Sequence, residues 1–90
     1  MLSSFSIAET SAFSEKIQKQ EFKQIYQKIK QVVYPQLKAN PYYGPNIKKL
    51  KGEFSGIYRY RIGKYRLFYT IDVDKAVVVA INISHRKDSY

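Results

Sequence analysis

The sequence contains no cysteine and no tryptophan, and it has a single histidine. Without cysteine the chain cannot form disulfides, thiolate nucleophiles or cysteine-based zinc sites, so a reducing compartment, by default the cytoplasm, is expected. No apolar stretch approaches the roughly 18 residues that a membrane helix needs, and the N-terminus lacks a basic segment followed by an apolar run. Neither export nor membrane insertion is expected.

Acidic residues are scarce. Seven Asp and Glu stand against sixteen Lys and Arg, which gives a formal charge of +9 in ninety residues. A small domain with this charge attracts polyanions and acidic proteins. The hydrophobic content of 44%, which includes nine Tyr and five Phe, is enough for one core. We therefore expect a single domain over residues 1–90.

The N-terminal part predicts a strand followed by a short helix. Residues 2–9 place apolar side chains at alternate positions, as in a half-exposed edge strand. Thr10 or Ser11 then offers an N-cap, and the helix is expected to end near Gln20.

A second helix is predicted from Glu21, where apolar residues follow intervals of three and four. Pro35 falls in its last turns, where a kink is expected, and Asn40 ends it because the residue before a proline is displaced from helical geometry. Residues 41–45 are predicted to form a loop.

The remaining sequence predicts an antiparallel meander of three strands. The strands cover residues 57–62, 65–72 and 76–83, with tight turns at Gly63-Lys64 and Val73-Asp74. The expected architecture is α+β: an N-terminal strand, two helices and then the meander, with both helices packed on one face of a four-stranded sheet.

Arginine is concentrated on one side of the first hairpin. If Gly63-Lys64 is a two-residue turn, Arg61 lies opposite Arg66 and Arg59 lies opposite Phe68. Alternation then puts these four side chains on the face away from the helices, whereas Tyr58, Tyr60, Ile62, Tyr65, Leu67 and Tyr69 face the helices. Like charges directly across a strand pair are destabilising, and a phosphodiester ligand would supply the missing anions. The alternative is that these arginines only keep an exposed sheet face soluble and unpaired.

Two further groups of residues are candidates for contact with RNA. Lys48, Lys49 and Lys51 precede the hairpin and either bind phosphate or belong to a solvated loop. Beyond the last strand come His85, Arg86, Lys87 and Tyr90, which either form a charged tail or take part in RNA chemistry. An imidazole can transfer protons, an arginine can stabilise transition-state charge and a tyrosine can stack on a base, a set that suits cleavage by a 2′-hydroxyl.

Taken together, residues 50–52, 56–69 and 83–90 resemble the RelE/ParE superfamily of bacterial and archaeal toxins. The resemblance consists of a YRxR strand, a YRLxY strand and a terminal HRxxxY pattern, in the order that this superfamily shows. It implies a toxin of a type II toxin-antitoxin pair that enters the ribosomal A site and cleaves messenger RNA, with contacts to 16S ribosomal RNA. It further implies an acidic antitoxin as partner and no metal or other cofactor.

The resemblance also implies roles for individual residues. Arg59 and Arg61 would contact phosphate and assist the attacking 2′-hydroxyl, and Arg66 would stabilise the transition state. Arg86 would assist the leaving group and Tyr90 would orient the base. Apart from the resemblance, Phe68, Lys87 and the three lysines 48, 49 and 51 are predicted to bind RNA or the ribosome.

The chain departs from its relatives at the position of the general base. RelE has lysines where this chain has Arg59 and Arg61, and arginine almost never releases its protons. The glutamate of YoeB-like relatives is replaced by Lys48, and Glu53 is displaced from that position, which leaves His85 as the candidate acid-base residue. The alternatives are a ParE-like inhibitor of DNA gyrase and a non-catalytic basic module that binds RNA or an antitoxin.

Overall fold

The computed structural model describes residues 4–85. One strand precedes the main helices and four strands follow them, and the helices pack on one face of the sheet, as the predicted α+β class requires. The strands are β1 (Ser6–Glu9), β2 (Ile47–Lys49), β3 (Tyr58–Ile62), β4 (Tyr65–Asp72) and β5 (Val77–His85). The helices are α1 (Ser11–Ile17), α2 (Lys23–Lys28) and α3 (Tyr34–Ala39), with a π-helical segment at Ile29–Val33 and 3-10 turns at Gln20–Phe22 and Gly52–Phe54. No helix in this range is long and apolar enough to cross a membrane.

The sheet has five strands in the order β1-β5-β4-β3-β2, one more than the four predicted. β1 runs parallel to β5, and the other neighbours are antiparallel. The additional strand is β2, for which no strand was predicted and whose lysines were expected either to bind phosphate or to belong to a solvated loop; it pairs with β3 through Ile47 opposite Tyr60. Three residues, two of them lysines, are too few to show an alternating pattern, so its strand character depends on the partner strand.

The predicted helices are present with adjusted ends. Thr10 caps α1 by accepting a hydrogen bond from the Phe13 amide at 3.1 Å, and α1 ends at Ile17, three residues before the predicted end. The second predicted helix begins at Lys23 and ends at Ala39, where Asn40 adopts an extended φ of −159° as its C-cap. Pro35 is the second residue after the π-helical segment and lies inside the continuous helical run of residues 23–39, where it cannot donate a helical hydrogen bond. The π-helical segment shows that the regular hydrogen-bond pattern is interrupted just before this proline.

The core lies between the helices and one face of the sheet. The sheet contributes Tyr60, Ile62, Leu67, Tyr69 and Ile83, which pack with buried helix residues such as Phe13, Ile29 and Leu37. Tyr58 and Tyr65 pack at the margin of the same cluster, which confirms the predicted face of all six hairpin residues. The hydroxyls of buried tyrosines find partners: Tyr69 donates to the Pro41 carbonyl at 2.7 Å and Tyr60 donates to Gln36 Oε1 at 2.6 Å.

Glu9 joins β1 to the long helix, as we call the continuous run of α2, the π-helical segment and α3. Its Oε2 atom accepts hydrogen bonds from the hydroxyls of Tyr26 at 2.8 Å and Tyr34 at 2.7 Å. Burial, as the largest cause, and the hydrogen bond to Glu9, as the second, together raise the pKa of Tyr26 to about 12. The same causes raise the pKa of Tyr34 further. Burial also raises the pKa of Tyr69.

The turn between β4 and β5 differs from the prediction. It spans residues 73–76 rather than two residues, and β5 begins at Val77. Asp72 Oδ1 accepts a hydrogen bond from the Lys75 amide at 3.1 Å, and Ala76 takes a φ of +53°. Ala76 closes the turn in the left-handed region, which apolar patterning alone does not reveal.

Replacing Ala76 with glycine is expected to stabilise the protein. The positive φ strains an L-alanine but not a glycine, and this relief exceeds the extra unfolded-state entropy, for a net gain of about 0.5 kcal/mol. Urea unfolding of Ala76→Gly measures the change. The matched control Ala12→Gly, in α1, should instead lose about 1 kcal/mol, and a loss at both positions would contradict the argument.

Alkaline pH should unfold the protein through its buried tyrosines. Because folding raises their pKa above the ordinary value of 10.0, the stability that they contribute is complete below pH 10 and is lost as the pH rises through the folded-state pKa, a window that reaches about pH 12 for Tyr26. Chemical unfolding measured from pH 8 to 12 should show this decline. Tyr34→Phe should be less stable at pH 8 but should lose less stability between pH 10 and 12, and equal slopes for both proteins would refute the assignment.

Candidate functional site

The β3-β4 hairpin has the predicted register. Arg61 lies opposite Arg66 and Arg59 opposite Phe68, across a turn in which Gly63 takes a φ of +59°. This positive φ suits the first central position of a type II′ turn, a geometry that matches the twist of the two strands. We call the side of the sheet that carries Arg59, Arg61 and Arg66, away from the helices, the arginine face.

The neighbouring strands extend the arginine face in two rows. In the first row, Lys48 of β2 is opposite Arg59, and Asn82 of β5 is opposite Phe68. In the second row, Ser84 is opposite Arg66, which is itself opposite Arg61. The strand positions that face Arg61 and Arg66 therefore hold a second arginine and a serine rather than a carboxylate.

The arginines differ in their exposure. Arg61 is exposed, whereas Arg59 and Arg66 are half-buried. The Nε atom of Arg66 is buried and makes no hydrogen bond within residues 4–85. A cation held against the sheet in this way has lost part of its hydration, so an anion at its outer edge would be bound more strongly than at a fully solvated side chain.

The three predicted lysines do not share one position. Lys48 is exposed on the arginine face, while the alternation of β2 turns Lys49 towards the side of Tyr58. Lys51 lies just before the Gly52–Phe54 turn. All three nevertheless line one shallow hollow of about 270 Å³ at the edge of the sheet, together with Leu50 and Phe54.

Sequence reasoning missed two residues at the other edge of the face. Lys16 of α1 donates a hydrogen bond from Nζ to Asn82 Oδ1 at 3.0 Å. A helical lysine 66 residues away from Asn82 in the sequence gives no signal of such a contact, because the contact depends on how α1 packs beside β5. Asn82 could not be found by counting outward from the predicted two-residue turn, because the actual turn spans residues 73–76 and the register shifts between Phe68 and Tyr69.

His85 does not join the arginines. It is paired with Tyr65, and its ring makes an edge contact with the Tyr65 ring at a centroid distance of 5.3 Å. Tyr65 in turn contacts Phe22 and donates to the Glu21 carbonyl at 3.4 Å, so His85 lies on the helix side of the sheet. Its assignment as an acid-base residue stays a prediction that this placement does not favour.

Three predicted residues, Arg86, Lys87 and Tyr90, lie outside the described residues. Within residues 4–85, no group of three or more His, Asp or Glu side chains lies close enough together to hold a metal ion. The part of the site that the structure describes is thus a cationic surface on a five-stranded sheet, suited to binding and stabilising phosphate charge.

The fold, together with the arginine face of its sheet, is that of a toxin domain of the RelE/ParE superfamily, which confirms the predicted resemblance. The sequence profile described as the ParE toxin of the type II toxin-antitoxin system parDE matches residues 7–90. Because this match spans nearly the whole sequence, the chain belongs to that family of type II toxin-antitoxin toxins.

Individual relatives agree with this family. The toxin RelG of Mycobacterium tuberculosis is 42% identical over 43 residues, which are 48% of this chain and 49% of RelG, so the match spans about half of that relative's length. The toxin-antitoxin complex RelBE2 of the same organism contains a chain that is 26% identical, with a TM-score of 0.80 over 98% of this chain and 97% of that one.

Two further structures share the fold at lower identity. The YoeB-YefM complex of Staphylococcus aureus matches with a TM-score of 0.68 and 23% identity, over 90% of this chain and 95% of that one. The isolated RelE toxin of E. coli matches with a TM-score of 0.64 and 21% identity, over 94% of this chain and 87% of that one.

Removing one arginine of the opposed pair should stabilise the free protein. Because Arg61 and Arg66 repel each other across the strands, Arg61→Gln is expected to raise the free energy of unfolding by a few tenths of a kcal/mol, up to about 0.5, at low salt. The gain should shrink as salt screens the charges. Urea unfolding at low and high salt tests this, with Lys75→Gln in the β4-β5 turn as the control for net charge. An equal gain in the control would show that the opposed pair has no special cost.

Proposed function

We propose that the protein is a ribosome-dependent endoribonuclease that cleaves messenger RNA in the A site, in the cytoplasm and without a metal ion. The observation that carries this proposal is the gathering of Arg59, Arg61 and Arg66 on one face of the sheet, opposite the helices. Arginine binds phosphate through paired hydrogen bonds and stays charged at neutral pH.

The reaction that suits this surface is an internal transfer of the phosphoryl group. The 2′-hydroxyl of one nucleotide loses its proton and attacks the adjacent phosphorus, and the bond from phosphorus to the 5′-oxygen of the next nucleotide breaks. The products are a 2′,3′-cyclic phosphate and a 5′-hydroxyl, with one proton removed at the nucleophile and one delivered to the leaving oxygen. Negative charge grows on the phosphoryl oxygens between these events, and fixed cations lower the energy of that state.

The exposure of the described arginines supports the roles that we propose for them. Arg59 and the exposed Arg61 hold the substrate phosphate, and the half-buried Arg66 stabilises the charge of the transition state. Arg86 assists the leaving oxygen and Tyr90 orients a base, roles that rest on the resemblance alone. Lys48 extends the cationic surface along the first row, and Lys49, Lys51 and Lys87 add contacts to RNA of the ribosome.

The proposed inhibitor is an acidic antitoxin. A charge of +9 leaves the toxin with a strong field that an acidic chain would neutralise. The related RelBE2 and YoeB-YefM toxins have been solved as complexes with their antitoxins, which supports a partner of this kind.

A second candidate function is inhibition of DNA gyrase, the activity that the resemblance implies for the ParE branch. The matching family profile bears the ParE name, which favours this candidate. It does not require three arginines gathered on one face, and we therefore place it second.

The nuclease proposal predicts cuts in messenger RNA only while the message is being translated. In a purified translation system the wild-type protein should cut within codons, and it should leave free RNA intact. Arg66→Ala should lower the cleavage rate about 100-fold or more, the usual cost of losing a group that stabilises transition-state charge. The 5′ ends of the fragments, mapped by primer extension, give the measurement.

Lys75→Ala, which removes a cation from the β4-β5 turn, is the matched control and should cleave at the wild-type rate. Intact transcripts with wild-type protein would overturn the nuclease proposal. Loss of gyrase supercoiling in a parallel assay, with translation unaffected, would establish the second candidate instead.

A further inference from the structure

An apolar pocket opens on the arginine face beside the arginines. It has a volume of about 150 Å³ and is lined by Leu50, Phe54, Ile57, Phe68, Ile81 and Asn82. Phe68 is 8% exposed and Phe54 is 37% exposed, so the former is largely covered while the latter remains accessible. The pocket is separate from the main core, which lies on the other side of the sheet.

Two irregular features of the backbone create this pocket. The pairing of β4 with β5 shifts between Phe68 and Tyr69, so that Ile81 is the extra residue of a β-bulge. Bulges re-aim side chains, and here the bulge adds Ile81 to the face that carries Phe68. The 3-10 turn at Gly52–Phe54 supplies the opposite wall through Phe54.

The surroundings of the pocket are cationic. Arg59 is directly opposite Phe68, and Lys48 is opposite Arg59 in the same row. The lysine-lined hollow at the edge of the sheet shares Leu50 and Phe54 with the pocket. The apolar pocket is thus bordered by cationic side chains that attract phosphate.

Asn82 gives the pocket one polar group. Its Oδ1 atom accepts hydrogen bonds from Lys16 Nζ at 3.0 Å and from the Ile83 amide at 2.9 Å. Both contacts use the carbonyl oxygen, which fixes the orientation of the side chain and leaves its amide nitrogen as a donor for a ligand. A mostly apolar site with one oriented polar group is typical of a small-ligand pocket.

We propose that this pocket binds one unstacked nucleobase of single-stranded RNA, with the neighbouring phosphate held by Arg59 and Lys48. The inference rests on the proposed function only in requiring that the arginine face binds RNA. An apolar cavity of about 150 Å³ is large enough for a benzene-sized ring. Aromatic walls bind bases of any sequence because every base has a π face, and the cations on the rim match the charge of the backbone.

Binding of a short single-stranded RNA to the full chain tests the pocket. Phe54→Ala should weaken the affinity about tenfold, within the range for loss of one base-aromatic stack. Phe54→Tyr should restore it. Tyr43→Ala, which removes another exposed aromatic side chain from a loop outside the pocket, is the control and should bind as the wild type does. Fluorescence anisotropy measures the affinities, and thermal unfolding verifies that each variant is folded.

An RNA with one abasic position distinguishes a bound base from backbone attraction. If a base enters the pocket, the wild type should bind the RNA that lacks that base about tenfold more weakly than it binds intact RNA. Phe54→Ala should bind this abasic RNA no more weakly than the wild type does. In methyl NMR, the intact RNA should give contacts between base protons and the methyl groups of Leu50, Ile57 and Ile81.

Equal affinity of wild type and Phe54→Ala for intact RNA, or the absence of base-methyl contacts, would overturn the pocket proposal. If an acidic antitoxin peptide, but not RNA, shifts the methyl signals of the pocket, the pocket belongs to a protein partner. That result would also overturn the pocket proposal. The cleavage assay in the translation system separates the two proposals, since normal cleavage by wild type together with any of these results refutes the pocket and leaves the nuclease in place.

Discussion

The pairing register of β3 and β4 determines which side chains enter the core and which face the solvent. With Arg61 opposite Arg66, the tyrosines and aliphatic residues of both strands point towards the helices, and the arginines point away. A slip by one residue would exchange the two faces and bury guanidinium groups among apolar side chains, at a large cost in desolvation. The core and the arginine face are therefore two consequences of the same constraint, and the chain cannot form one without the other.

The helices hold this sheet in place through the polar ends of aromatic side chains as well as through apolar packing. Tyr26 and Tyr34 both donate to Glu9, and Tyr60 donates to Gln36, so tyrosine hydroxyls join the long helix to β1 and to β3. Each hydroxyl is satisfied while its ring remains in or beside the core. The arginines thus project from strands that are fixed on their other side, which favours a preorganised charge distribution over one assembled on binding.

Much of this arrangement could be predicted from the sequence because the hairpin turn contains only two residues. Once Gly63 and Lys64 are taken as the turn, counting outward fixes every pair of β3 and β4. The same counting fails beyond β4, because the bulge at Ile81 shifts the register of β5, and because β2 is too short to show a period. The side of His85 could have been found by continuing the alternation from the buried Ile83. The contact of Lys16 with Asn82 could not, since it depends on the packing of a helix against a strand distant in sequence.

The chemistry of the arginine face has a consequence for the proposed nuclease. Arginine binds and stabilises anions but almost never accepts a proton, and His85, the candidate for that task, lies with Tyr65 on the other side of the sheet. The described part of the site therefore supplies charge stabilisation and positioning, whereas removal of the 2′-hydroxyl proton requires another group near the substrate. A cationic surface alone binds any RNA, but it promotes cleavage only where the 2′-oxygen is already aligned with the phosphorus. In the proposed function, the ribosomal A site would supply this alignment by holding the message in one backbone geometry, which free RNA lacks.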